Sequence, residues 1–94
     1  MGQYVIGIDA GGTMTKAALF DLDGVEIACA HSRNVMQAPH PGWTERDPDV
    51  MWKAATLAVR QVIECSGVSP SDIEAVSVAG YGGGLYLMDR DGHP

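Results

Sequence analysis

The opening segment, Tyr4 to Asp21, restricts the possible folds more than any other part of the chain. An apolar run, Tyr4-Val-Ile-Gly-Ile, ends in Asp9, turns through Gly11 and Gly12, and returns through Thr13, Thr15 and Lys16 into a second apolar run that closes at Asp21. A strand, a tight glycine turn and a strand bring backbone N–H groups, two hydroxyls and an ammonium to one point. That chemistry suits a polyphosphate, with Asp9 at the strand end to hold a hydrated Mg²⁺. The loop matches neither the GxxxxGKS/T phosphate loop nor the GxGxxG dinucleotide fingerprint. On the pattern alone, an ordinary glycine β-turn with its Thr and Lys facing solvent is the alternative.

The rest of the chain continues the alternation. Residues 3–9 and 14–21 read as strands, and Asp21-Leu-Asp-Gly24 carries the Asp-Gly signal of a hairpin. Residues 25–33 read as a third strand, with Val25, Ile27 and either Cys29 or Ala28 as its apolar positions. A Pro/Gly-rich loop spans residues 34–46. Asp47 then fits the N-cap of a helix, Pro48 fits N1, and Asp49 complements the positive helix end. Trp52, Ala55, Val59 and Val62 recur at helical spacing, widened by Met51, Ala58 and Ile63, and Trp52 is expected in the core. Arg60 and Glu64 on the opposite face are spaced as an i,i+4 ion pair. Gly67 and Ser69-Pro70 stop the helix. Ile73 to Ala79 is a fourth strand, with Ile73, Ala75 or Val76, and Val78 as its apolar positions. Gly80 to Gly84 breaks it, Leu85 to Met88 is expected to resume strand, and Asp89-Arg-Asp-Gly92 is a final turn. The helix is long enough to cross over to a parallel strand. The expected product is an α/β fold, a mixed sheet in the order β-β-β-α-β-β with the helix on one face.

Composition sets the limits. Ninety-four residues make one domain at most, with a thin stability margin. A net charge of −6, with scattered acidic residues, disfavours nucleic acid and anionic membranes as partners. Cys29 and Cys65 lack any pairing motif and read as buried free thiols in a reduced compartment. No basic leader precedes the first apolar run and Asp9 interrupts it, so neither a signal peptide nor a membrane span is expected. The reading is cytoplasmic. His31, His40 and His93 share no metal-ligand spacing.

Three segments resemble a known family. Asp9-x-Gly-Gly-Thr-x-Thr-Lys16, with the strand that follows, is similar to the first phosphate loop of the actin-like, sugar-kinase and heat-shock ATPase superfamily. Pro41-Gly-Trp-Thr-Glu-Arg-Asp-Pro48, running into Trp52, resembles the PGW-x-E-x-DP-x-x-x-W signature of the FGGY carbohydrate kinases. Ile73 to Gly80, the glycine loop and Leu85 to Asp89 are similar to the strand, sugar-contacting loop and hairpin of that family. Similarity lies nearest the pentulose and polyol kinase branches. The resemblance implies an incomplete ribonuclease-H-like (actin-like) domain, residues 1–94 being the first part of the N-terminal kinase domain. The remainder of that domain and the C-terminal domain are expected beyond it.

By the same resemblance, Gly11, Gly12, Thr13 and Thr15 contact the β- and γ-phosphates of ATP. Lys16 neutralises the transferring phosphoryl group, and Asp9 positions Mg²⁺ through water. Gly12 departs from relatives that carry a second threonine there. Tyr81, Gly82 and Gly83 occupy the substrate-contacting loop, which otherwise reads as a flexible turn. Trp43, Glu45 and Asp47 are expected to anchor the loop and cap the helix. The implied reaction is ATP-dependent phosphorylation of a hydroxyl of a small sugar or polyol. The catalytic aspartate is expected past residue 94, so the chain alone is expected to be inactive. The parent enzyme is expected to be a homo-oligomer. Two alternatives are an ATP-hydrolysing or regulatory member of the superfamily and a short non-catalytic binding module.

Overall fold

The computed structural model describes residues 2–94. Four strands form one mixed sheet in the order β3-β2-β1-β4: β1 Tyr4–Ala10, β2 Met14–Asp21, β3 Glu26–Arg33 and β4 Ile73–Gly80. The first three are an antiparallel meander, and β4 pairs with β1 in parallel. The crossover between β3 and β4 carries α1, Pro48–Ser66, and a short 3₁₀ turn, Pro70–Asp72.

Strand alternation sorts the side chains onto two faces. Ile6, Ala17 and Leu19 point toward α1 and meet Ala58 and Val62 in a small core, with Tyr4, Ile8, Ala28, Ala30, Val59 and Ile63 packed around it. The structure resolves the open register of β3 in favour of Ala28, because Leu19 pairs with Ala28 and Ala17 with Ala30, while Ile27 and Cys29 are exposed. Cys65 is exposed as well, so both thiols are free but not buried. Fully burying a side chain such as Leu19 contributes about 1.5–3 kcal/mol, so a core this small stabilises the fold only modestly.

The helix begins and ends where its capping chemistry requires. Asp47 is extended, at φ −80° and ψ 117°, and its Oδ1 accepts from the Asp49 N–H at 2.9 Å. Gly67 follows Ser66 in the left-handed region at φ 74°, with its N–H donating to the Ile63 carbonyl at 3.1 Å. The helix lies mainly over β2 and β3 and hardly over β4. Trp52 is therefore not a core residue: it is 71% exposed, at the rim of a largely apolar groove with Ile8, Val59, Ile63 and Pro70. For the same reason Val76 and Val78, which share a face with Ile6 and Ile8, are 56% and 64% exposed. Arg60 and Glu64 line that groove and do not form an ion pair.

Leu85 to Met88 does not form a strand, which leaves the observed order β-β-β-α-β. The turn after it is nonetheless complete. Asp89 Oδ1 accepts from the N–H groups of Asp91 and His93, both at 2.9 Å, and Gly92 sits at φ 83°. Asp21 makes the same pair of bonds to Asp23 and Val25, both at 2.9 Å, with Gly24 at φ 85°. The first turn joins two strands that each have seven or eight residues to pair. Among the described residues, Leu85 to Met88, which leads into the second turn, pairs with no strand.

Candidate functional site

The glycine turn lies between the C-terminal end of β1 and the start of β2, closed by a Gly11 N–H bond to the Met14 carbonyl at 3.0 Å. An added Cβ at Gly11 would stand 2.9 Å from that carbonyl oxygen, so the turn needs glycine there. Asp9 is exposed, beside the turn, and lies directly across from Lys16 in the β1–β2 ladder. Both face away from α1 and line a cavity of about 350 Å³ with Gly7, Phe20, Ser77 and Ala79. The Lys16 ammonium is 3.9 Å from Glu26, and both side chains are about half exposed. Solvent screens such a pair, so the amine is free to turn toward a stronger anion.

Thr15 corrects the sequence expectation. Adjacent strand residues point to opposite faces, so Thr15 cannot join Lys16; it is 1% exposed, on the helix side of the sheet. Its hydroxyl donates to Asn34 Oδ1 at 2.7 Å. Asn34 is itself buried, donates through Nδ2 to the Gly11 carbonyl, and donates through its backbone N–H to the Thr13 carbonyl at 2.8 Å. Thr15 thus supports the turn from inside through Asn34. Thr13 is exposed at the tip.

The segment around the Pro-Gly-Trp signature is more ordered than a loop reading implies. Gln37 and Glu45 exchange two backbone hydrogen bonds of 2.8 Å, making a small antiparallel bridge. His40 to Trp43 forms a β-turn with Pro41 inside and Gly42 at φ 81°, closed by Trp43 N–H to the His40 carbonyl at 3.0 Å. Trp43 packs edge-on against His40, with ring centroids 4.6 Å apart. Between the Glu45 bridge and the Asp47 cap stands Arg46, a residue the sequence reading passed over. Its Nε and Nη2 both donate to the Gly12 carbonyl, at 3.0 and 2.7 Å. Its guanidinium carbon lies 5.7 Å from the centre of the Tyr81 ring.

Tyr81 reaches the turn by extending the parallel ladder: its N–H donates to the Ala10 carbonyl at 3.0 Å. The ring folds back over Gly83, where an added Cβ would be 2.9 Å from the Tyr81 hydroxyl. The glycine turn, Arg46 and Tyr81 therefore meet at one end of the sheet, whereas Gly82 and Gly83 contribute backbone alone. Between the 37–45 hairpin and residues 81–87 lies an open cavity of about 760 Å³, lined by Thr44, Glu45, Arg46, Tyr81 and Tyr86 among others. Its volume is in the range of small-molecule sites.

The glycine turn thus lies beside a cavity lined by both polar and apolar side chains. Residues 4–94 fit the family described as the FGGY family of carbohydrate kinases, N-terminal domain. The chain belongs to the FGGY family of carbohydrate kinases. It is 38% identical over 92 residues to a probable L-xylulose kinase of Pasteurella multocida, covering 98% of this chain and 19% of that protein. It is 33% identical over 94 residues to a glycerol kinase of Thermococcus gammatolerans, covering 100% of this chain and 19% of the relative. The crystal structure of xylulose kinase from Rhodospirillum rubrum superposes with a TM-score of 0.84 at 32% identity, over 95% of this chain and 18% of that one. The chain thus spans about a fifth of the length of the curated relatives it matches. The actin-like α/β architecture implied by the three FGGY segments is the one observed. No helix among the described residues is long and apolar enough to cross a membrane.

Among the described residues, no group of three or more His, Cys, Asp or Glu side chains is placed to hold a metal ion. Asp9 alone still fits Mg²⁺, which usually keeps several waters and takes one or two carboxylates plus substrate phosphates. The exposed Asp9 carboxylate, beside the glycine turn, would supply the protein part of such a donor set.

Proposed function

We propose that this chain is the first part of the N-terminal domain of a kinase that transfers the γ-phosphoryl group of ATP to a hydroxyl of a small sugar or polyol. The observation that carries the reading is the meeting of the glycine turn with the Tyr81 loop at one end of the sheet, beside a cavity of about 760 Å³. Gly11, Gly12 and Thr13 receive the β- and γ-phosphates. Lys16 leaves Glu26 to neutralise the transferring group, and Asp9 holds Mg²⁺ through water, the ion supplying charge neutralisation on the phosphates. Thr15 acts from behind, through Asn34. Tyr81 and the backbone of Gly82 and Gly83 line the acceptor side.

The base that deprotonates the attacking hydroxyl lies outside this chain. The resemblance to the FGGY kinases supports that assignment, and Asp21 and Asp89 are each committed through Oδ1 to two backbone N–H groups of their own turn. The names of the matched relatives make ketopentoses and glycerol the first acceptors to try.

The test is ADP release from MgATP by the full-length protein that carries this chain, with L-xylulose, D-xylulose and glycerol as acceptors. Acceptor-dependent release is expected, and none is expected from the 94-residue chain alone. Equal release with and without every acceptor would instead identify an ATP-hydrolysing member of the superfamily.

A further inference from the structure

We infer that Arg46 is a positioning residue that holds the phosphate turn in its anion-binding conformation and ties it to the Tyr81 loop. The inference rests on the kinase reading above and deepens it. In a trans peptide the C=O and the following N–H point in opposite directions, and the described chain contains no cis peptide. The Gly11 carbonyl is held by Asn34 and the Gly12 carbonyl by Arg46. The Gly12 N–H is therefore directed away from Asn34, and the Thr13 N–H away from Arg46. Among the described residues neither of these N–H groups donates a hydrogen bond. Two fixed, unpaired N–H groups in succession are what an anion needs.

Arg46 suits this role because its planar fork places two donors on one oxygen, and bonds from a charged donor are stronger than neutral ones. Gly12 has no side chain to restrain its backbone, and among the described residues Arg46 supplies the hydrogen bonds to its carbonyl. No ion pair to Arg46 exists among the described residues, so its charge is not neutralised before an anion arrives. The same guanidinium covers the Tyr81 ring, and an added Cβ at Gly12 would sit 3.6 Å from Arg46 Nη2 and 4.0 Å from Tyr81 Cδ2. One side chain thereby contacts both the phosphate turn and the acceptor loop.

The experiment is calorimetric titration of the full-length protein with AMP-PNP, which carries the β- and γ-phosphate groups, and with AMP, which lacks them. Arg46→Gln is expected to weaken AMP-PNP roughly tenfold while leaving AMP unchanged, as befits the loss of charge-assisted hydrogen bonds. Arg46→Lys, which keeps the charge but loses the fork, is expected to fall between the two. Tyr81→Leu leaves the fork in place and is expected to weaken AMP-PNP less than Arg46→Gln does. Unchanged AMP-PNP affinity in Arg46→Gln, or an equal loss for AMP and AMP-PNP, overturns the inference. A loss in Tyr81→Leu that matches or exceeds that of the arginine variant also overturns it. If Arg46→Gln does not fold, Arg46→Lys decides, by whether its smaller loss is confined to AMP-PNP. Failure of the unsubstituted protein to bind AMP-PNP is a separate result, which removes the kinase reading itself.

Discussion

Asn34 stands at the start of a segment that reads as loop, yet it makes three connections to the glycine turn. It accepts the Thr15 hydroxyl, donates to the Gly11 carbonyl, and donates from its backbone to the Thr13 carbonyl. Asn34→Ala removes both side-chain bonds and leaves a buried hydroxyl without a partner. It is expected to cost about 1–3 kcal/mol, measured as a shift in urea midpoint at constant slope. A change below about 0.5 kcal/mol would mean that the Thr15 hydroxyl finds another partner. Ser32 provides the opposite case. Its hydroxyl lies across from Thr15 in the β2–β3 ladder, buried and without a hydrogen bond. Ser32→Ala deletes a polar group that gains nothing from burial, so the same titration is expected to show a neutral or slightly stabilising effect.

At the scale of elements, the helix is governed by its two ends. Asp47→Ala removes the side-chain acceptor for the Asp49 N–H and is expected to cost about 1 kcal/mol. Gly67→Ala forces a Cβ into the left-handed region at φ 74° and is expected to cost a similar amount. For a folded chain of 94 residues either change lowers the melting temperature by roughly 4–8 °C, followed by far-ultraviolet circular dichroism. An Asp47→Ala melt that overlays the parent would show that packing alone fixes the helix start. These ends are legible in sequence because capping uses residues within one turn of each other. The same holds for the turn Asp21 to Val25, repeated in residue type and hydrogen bonding at Asp89 to His93. Leu85 to Met88 has apolar residues suited to a strand, but a strand needs a neighbour and local pattern does not provide one.

At the scale of the whole molecule, the sheet is covered on one face by a single helix placed over β2 and β3. The groove beside that helix and the outer β4 positions Val76 and Val78 remain open. Trp52 is the clearest consequence: periodicity assigns it to the buried stripe, and the position of the helix over the sheet exposes it. Trp43 is also exposed, at 58%. The isolated chain is expected to show the red-shifted fluorescence of water-exposed indoles and to bind a hydrophobic dye. Trp52→Ala is expected to change its stability by no more than about 0.5 kcal/mol. A blue-shifted spectrum that moves on Trp52→Ala would mean that something covers the groove.

The sequence by itself determined the four strands that form, the capped helix and the Asp-Gly turns, because each is written in spacing that the backbone enforces over a few residues. The family was legible in the resemblance of three segments to the FGGY kinases. Asp9 and Lys16 share a face for the same local reason, being paired across a tight turn. The tertiary structure decided the rest. It turned Thr15 inward, brought Asn34 and Arg46 from 23 and 34 residues away onto the two glycine carbonyls, and set Tyr81 against Arg46. It also left Trp52 at the rim of an open groove. None of these follows from local spacing, because a backbone carbonyl is satisfied by whichever donor the fold brings near it, whatever its distance along the chain.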